Sequence, residues 1–180
     1  CSCKKYITTP RINQTCLRLP VKKLQTIDNK LVVGVSGTVG LGQLYAGAIE
    51  DLWADKKFQD STPHQAMTRL QDTLWTHCEK QLKSASVSKD ALGSSALHSC
   101  ITSTILALPL EGKPQLIHLD ERCLPELVTQ TLPFVSIGMG QVIADPFLAL
   151  VRRIFWPTSA PSLIDGVFAA YWTLRHAIDV

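Results

Sequence analysis

The sequence predicts an α+β fold, a four-layer αββα sandwich in which two antiparallel sheets lie between flanking helices. Three observations lead there. Element signals come grouped as strands, two helices, strands and two helices, rather than as the strict alternation that builds a parallel sheet. The stretch from Lys30 to Gly37 is more uniformly apolar than a half-exposed strand would be, which fits a sheet covered on both faces. Finally, 180 residues of which 46% are apolar can bury one substantial core, so residues 1–180 are read as a single domain.

Tyr6 to Thr9 and Thr15 to Leu19 are short β-prone pieces separated by the turn signal Pro10-Arg11-Ile12-Asn13. Lys23 to Ile27 and Leu31 to Ser36 follow, with Asp28-Asn29 as a two-residue hairpin turn. From Val39 the period changes. Leu44, Ala48 and Leu52, with Leu41, Tyr45, Ile49 and Trp53 on the next stripe, recur at helical spacing, so Val39 to about Lys57 reads as a buried helix. Thr62-Pro63-His64-Gln65 offers an N-cap, a proline at the first helical position and a glutamine that completes a capping box. Met67, Leu70, Leu74, Cys78 and Leu82 share one face of that second helix, and the Ser/Lys-rich piece Ser84 to Ser95 reads as a loop.

A second block of strands is expected at Leu97 to Leu108, Gln115 to Asp120 and about Thr131 to Ile137, with Glu111-Gly112-Lys113-Pro114 turning between the first two. Val142, Ile143, Phe147, Val151 and Ile154 give a third helix its apolar face. Leu163, Val167, Ala170, Leu174 and Ile178 do the same for a last helix at about Ser162 to Ile178.

Composition excludes several function classes. A formal charge of +3 without clustered Lys/Arg argues against a nucleic-acid partner. Six cysteines (Cys1, Cys3, Cys16, Cys78, Cys100, Cys123) are irregularly spaced in a chain too long to need staples, so a reduced, cytoplasmic protein is expected. No Cys-x-x-Cys pair occurs, and the nearest metal-like spacing, His98-Ser99-Cys100, falls in a strand pattern, so no metal or cofactor is called for. Ala91 to Leu110 has no formal charge but is too rich in Gly, Ser, Thr and His to span a membrane. Cys1 to Lys5 leads into no apolar signal-peptide core.

The most informative stretch is Val21-Lys22-Lys23-Leu24-Gln25-Thr26-Ile27-Asp28, followed by Lys30 to Gly37 and the small-residue turn Thr38-Val39-Gly40-Leu41-Gly42-Gln43. It resembles the proteasome β-subunit family of N-terminal-nucleophile (Ntn) hydrolases and its simpler bacterial homologues. There a Lys-Lys-hydrophobic turn leads into a strand that ends in Ala/Ser-Gly and opens a long helix. Gly112 to Asp120 is similar to a later strand pair of that family. Ser136-Ile137-Gly138-Met139-Gly140 resembles its Gly-Ser-Gly turn into the third helix. The resemblance covers Lys22 to Asp179 and implies the same αββα sandwich, with the family's first strand and last strands lacking from residues 1–180.

The resemblance also implies a chemistry: peptide-bond hydrolysis by an N-terminal nucleophile whose own α-amino group is the base, of the threonine-peptidase type. Lys23 would be the catalytic lysine that lowers the nucleophile's pKa, and Asp179 would stand for the family's later aspartate. Gly37 would lie beside a substrate bound by strand addition, with Val35 and Val39 lining the specificity pocket and Val21 and Gln43 next to them. Val35 and Val39 equally suit an ordinary core. The implied partners are copies of the chain in a ring and a peptide or unfolded-protein substrate. There is room for an ATP-dependent unfoldase, and no nucleic acid or membrane is involved. Trp53, Trp156 and Trp172 would supply contacts between subunits.

The residues before Lys23 depart from the pattern. Only Cys1 to Lys22 precede it, about one strand short of the family hairpin. No Asp or Glu occurs from Cys1 to Ile27, and Lys4, Lys5, Arg11, Arg18 and Lys22 raise the cost of holding Lys23 charged. Met139 stands where the family has a serine. Three readings stay open: a native nucleophile upstream of this sequence, Cys1 as a thiol nucleophile, or a non-catalytic structural or binding subunit of a ring.

Rival motifs are near misses. Gly34-Val35-Ser36-Gly37-Thr38 lacks the last glycine of a nucleophile elbow. Gly40-Leu41-Gly42-Gln43-Leu44-Tyr45 has Tyr45 where a dinucleotide loop needs glycine, which leaves a Rossmann fold as the rival architecture. Arg152-Arg153-Ile154-Phe155-Trp156 reads as a basic helix end rather than a base-stacking surface.

Overall fold

The computed structural model describes residues 22–92, 101–131 and 133–179. They belong to two compact units, Lys23–Gly138 and one described from Met139 onward. The expected strand pieces at Tyr6 to Thr9 and Thr15 to Leu19, and Leu97 to Cys100 with the His98-Ser99-Cys100 spacing, lie outside the described residues.

In the first unit β1 (Leu24–Ile27) and β2 (Leu31–Gly37) form the expected hairpin. Asp28 and Asn29 both adopt left-handed φ, 51° and 52°, the geometry that matches the twist of the two strands. β3 (Thr102–Leu110) and β4 (Lys113–Leu119) are joined the same way through Glu111 and Gly112, and β5 (Pro125–Leu127) completes a sheet of order β1-β2-β3-β4-β5. Every pairing is antiparallel. That removes the Rossmann alternative, whose sheet is parallel.

Among the described residues two helices lie between β2 and β3 and cover one face of this sheet: α1 (Val39–Ala54) and α2 (Pro63–Leu92). Register puts Val33, Leu106 and Ile117 in one row across the covered face. Leu41, Tyr45 and Ile49 of α1 and Ala66, Leu70, Leu74 and Cys78 of α2 pack on them. Each fully buried leucine or isoleucine here contributes about 1.5–3 kcal/mol relative to exposure. Leu44, expected inside, is exposed, because the stripe one residue on faces the sheet. The α2 capping box forms as the sequence indicated: Thr62 N–H donates to Gln65 Oε1 at 3.1 Å and Gln65 N–H to Thr62 Oγ1 at 3.3 Å. Arg69 ties the helices at their turn by donating to the Lys57 carbonyl and to Ser61 Oγ.

Two expectations are corrected. Ser84 to Leu92 is helix rather than loop. Nothing before Gly93 breaks a helix, Ala85 continues the buried stripe, and Glu79 pairs with Lys83 at 2.9 Å one turn apart. The described residues between Thr131 and Ile137 form no strand. The chain instead returns along β4 sooner, as β5, with Val128 N–H donating to the Leu116 carbonyl at 2.9 Å.

That early return depends on Asp120. Its carboxylate accepts from the N–H groups of Arg122 and Leu124 and from Arg122 Nε, at 2.8–3.0 Å. The turn carries Cys123 in left-handed φ of 62°. Cys123 thereby reaches the core, where the Tyr45 phenol hydrogen-bonds it and Cys78. Burial pushes the Cys123 thiol up to about 11, the Tyr45 hydrogen bond opposes this, and Cys78 and Asp120 add to it. Burial and both sulfurs also push the phenol far up. Both cysteines are free thiols.

The described helices of the second unit form a helical hairpin, α3 (Gln141–Phe155) and α4 (Leu163–Asp179). A second capping box opens α4, with Ser162 N–H donating to Asp165 Oδ2 at 3.2 Å and Asp165 N–H to Ser162 Oγ at 3.3 Å. The expected faces shift. On α3 Ala144 and Val151 are buried and Ile143 and Phe147 half-buried, while Val142 and Ile154 are exposed. On α4 the buried residues are Ala169 and Thr173, and the expected stripe of Leu163, Val167, Leu174 and Ile178 is exposed. Small residues decide this, since they let the helix axes approach. A Cβ built on Gly140 would already stand 3.4 Å from Ala177 Cβ. Phe147 fills the remaining gap, stacked on His176 at 4.5 Å and edge-on to Trp172 at 5.1 Å.

Burial works against the charged Asp120 carboxylate, but the Leu124 N–H, the Arg122 side chain and N–H and the guanidinium charge outweigh it and hold its pKa below the ordinary value. A depressed pKa means stability that is present above about pH 4 and is lost as pH falls through the lower folded value. Asp120→Asn keeps one capping oxygen. Its urea-unfolding midpoint is expected to be lower than wild type at neutral pH and to converge on it in acid; parallel pH profiles would contradict this role for Asp120.

Candidate functional site

One end of the sheet gathers most of the residues the sequence singled out. Lys23 enters β1 with its carbonyl accepting Val35 N–H at 3.0 Å, so it lies across from Val35 on β2. Strand alternation places it on the helix-covered side, because Leu24 faces the other way, against Gly34. Lys23 is exposed. Among the described residues no carboxylate pairs with it.

Val35 packs on α1. A Cβ on Gly42 would meet its methyl at 3.1 Å, so glycine is what lets the helix start this close to the strand. Val39 and Gln43 lie one turn apart on α1 and are both exposed. The helix opens at Thr38 with no side-chain cap and no acidic residue in its first turn. Its N-terminal partial positive charge, together with Lys23, makes this end of the sheet favourable for an anion or a developing oxyanion.

Gly37 ends β2 with φ of 116°, exposed. A Cβ there would stand 2.3 Å from the Ile101 carbonyl oxygen and 2.9 Å from Thr102 Cα. Hydrogen bonds clamp the residue that follows it: Thr38 N–H donates to the Ile101 carbonyl at 3.1 Å and Thr102 Oγ1 to the Thr38 carbonyl at 3.3 Å. Gly138, the first glycine of the later turn, comes to the same end. Its φ is 99°, and a Cβ on it would lie 2.8 Å from Ser36 Oγ.

The structure thus brings together Lys23, Val35, Gly37, Val39 and Gln43. Asp179 belongs to α4 in the second unit and pairs with Arg175 at 3.2 Å. Met139 is exposed. Cys1 and Val21 lie outside the described residues. Among the described residues no cluster of three or more His, Cys, Asp or Glu could hold a metal ion, and no helix is long and apolar enough to cross a membrane.

Two features escaped the sequence reading. A cleft of about 830 Å³ opens at the opposite end of the sheet, between the two hairpin turns and α1, lined by Asp28, Glu50, Trp53, Phe58 and Glu111 among others. Trp53 is held there by donating Nε1–H to Asp28 Oδ2 at 3.2 Å. On the sheet face away from α1 and α2, Ser103, His118 and Glu126 line up across three strands. Only the register brings them together, and no spacing in the sequence encodes it.

No family model matches the chain, and no curated protein matches it in sequence. Among solved structures it is similar to Anbu (ancestral beta-subunit) from Yersinia bercovieri, with a TM-score of 0.61 and 15% identity, over 88% of this chain and 64% of that one. The chain therefore spans less than two thirds of that protein's length. At this identity the likeness is one of fold.

Gly37 is the residue at this end with least freedom to change. Gly37→Ala is expected to lower stability by about 2–3 kcal/mol, through positive φ and the Ile101 contact. Gly112→Ala, where a Cβ meets open space, should cost less. Equal urea midpoints for the two variants would contradict the close approach at Gly37.

Proposed function

We propose that this chain is a proteasome-like subunit of a self-compartmentalised peptidase, hydrolysing peptide bonds through an N-terminal nucleophile. The observation that carries the reading is the position of Lys23. It lies across from Val35, at the end where Gly37 terminates β2, in a fold that aligns with an ancestral β-subunit. In this reading the lysine ammonium and the start of α1 stabilise the nucleophile's anionic form. An extended peptide lies along Gly37, and its side chain before the cleaved bond meets Val35, Val39 and Gln43. The face of the sheet away from the helices carries Leu24, Val32, Ile105, Ala107 and Leu116 and meets a second sheet, completing the αββα sandwich within a single domain.

Assembly into a ring of like subunits belongs to the same proposal. Leu163, Ile164, Val167, Phe168 and Tyr171 of α4 are each more than half exposed, and contiguous apolar surface of this kind is characteristic of interfaces. Trp172 adds to it, whereas Trp53 and Trp156 are half-buried. Sedimentation is expected to show a large homo-oligomer at micromolar concentration; a monomer alone would count against the ring.

A second reading, a non-catalytic subunit of the same ring, is favoured by two observations. Lys23 has no carboxylate partner among the described residues, and Met139 stands at the turn where a serine would serve the amino group. Intact-mass analysis of the native protein separates the two. A peptidase should display a processed Thr, Ser or Cys at its N-terminus and gain one peptide epoxyketone or β-lactone there, whereas an inert subunit gains none. In an active protein Lys23→Ala should lower peptidase activity on the order of a hundredfold or more while leaving assembly intact. Lys22→Ala, one residue earlier on the strand, should change activity little. Full activity in Lys23→Ala would remove Lys23 from the mechanism.

A further inference from the structure

The cleft between the two hairpin turns and α1 has a mixed wall. Phe58, 2% exposed, supplies buried apolar lining, and the indole of Trp53 lines the same space. Trp53 packs on the core, and its Nε1–H, donated to Asp28 Oδ2 at 3.2 Å, holds the ring by its edge. A bond made in the ring plane leaves the π faces for other contacts.

Around these aromatics the charges are unequal. Asp28, Glu50, Asp60 and Glu111 line the cleft against Lys30 and Lys56, in a chain whose formal charge is +3. Lys30 and Asp28 pair at 3.6 Å, which cancels one charge of each sign. Glu50, Asp60 and Glu111 form no ion pair or side-chain hydrogen bond among the described residues, and neither does Lys56. What remains is a surplus of negative charge beside an indole.

The placement of these carboxylates decides the kind of cation. Glu50 belongs to α1, Asp60 to the turn between α1 and α2, and Glu111 to the turn between β3 and β4. Among the described residues they do not converge into a group that could hold a metal ion. Carboxylates spread round an apolar wall suit a longer cation, whose stem covers aromatic surface while its charge meets the rim. Guanidinium suits an indole better than ammonium does, because it is planar, weakly hydrated and stacks on aromatic faces. A volume of about 830 Å³ takes such a side chain together with the backbone that carries it.

We propose that this cleft binds an arginine side chain presented by a peptide segment of a partner, with Trp53 stacking on the guanidinium and Glu50 and Glu111 facing its charge. Lys56 opposes the ligand and limits its affinity. The cleft lies at the end of the sheet away from Gly37, so the inference holds whether or not the chain hydrolyses peptides.

The test uses the whole chain and two capped peptides of one shape, acetyl-Ala-Arg-Ala-amide and its citrulline counterpart, in which a neutral urea replaces the guanidinium. The readout is the Trp53 indole ¹H–¹⁵N peak, identified as the one that Trp53→Phe removes. The arginine peptide should shift it saturably in the millimolar range, and the citrulline peptide should bind at least about tenfold more weakly. Ethylguanidinium, the head group without a backbone, should bind more weakly than the arginine peptide. Glu50→Gln combined with Glu111→Gln should weaken the arginine peptide about tenfold, with the β2 and β3 amide peaks unmoved. Lys56→Gln should tighten it, a gain that a damaged fold does not produce. No saturable shift, equal binding of the citrulline peptide, tighter binding of ethylguanidinium, or no gain in Lys56→Gln would each overturn the site.

Discussion

The β2–β3 ladder is the interaction on which everything else hangs. It joins strands separated by the whole α1–α2 hairpin, so it closes the longest loop in the first unit, and it runs from Val32 opposite Ala107 to Gly37 opposite Thr102. Closing such a loop costs chain entropy that local contacts cannot recover. What recovers it is the row of buried side chains that the register aligns under the helices. The ladder can run to its very end because Gly37 has no Cβ to strike Ile101. The start of α1, the position of Lys23 and the seat of Gly138 are all fixed by where that last pair lies.

Much of this was legible in the residues. Asp28-Asn29 announced a tight hairpin because few other residues tolerate left-handed φ, and Thr62-Pro63-His64-Gln65 announced a helix start because its side chains complete the backbone's own hydrogen bonds. Leu41, Tyr45 and Ile49 were placed correctly, since a helix lying on a sheet buries a stripe of fixed period. The grouping of strands and helices weighed against a parallel sheet, and the antiparallel register then removed the Rossmann rival. Among the described residues, a five-stranded antiparallel sheet with four helices agrees with that order.

The misreadings share a cause. Ser84 to Leu92 looks like a loop by composition, but a helix already propagating needs a breaker to stop it, and polar residues are not breakers. The α4 stripe of Leu163, Val167, Leu174 and Ile178 was the stronger hydrophobic signal, yet Ala169 and Thr173 took the contact with α3. Close approach of two helices rewards small volume, which hydrophobicity does not measure. Ser103, His118 and Glu126 left no trace at all, since a relationship across three strands depends on register and register is a tertiary property. Val35 shows the same limit at the site. Its sequence environment suits a pocket wall and a core residue equally, and its contact with Gly42 makes it part of the core's edge.

The pair of thiols around Tyr45 has a further consequence. A thiol must be reached and must ionise to react; both are buried, and burial holds back the ionisation of Cys123, behind a turn that the Asp120 carboxylate keeps shut. Their chemistry is therefore coupled to the integrity of the first unit. While the sheet and its two helices stay together, Cys78 and Cys123 are spectators to electrophiles and oxidants in the surrounding solution. Once the unit opens they become ordinary reactive thiols, so their alkylation records how often, and for how long, the fold comes apart.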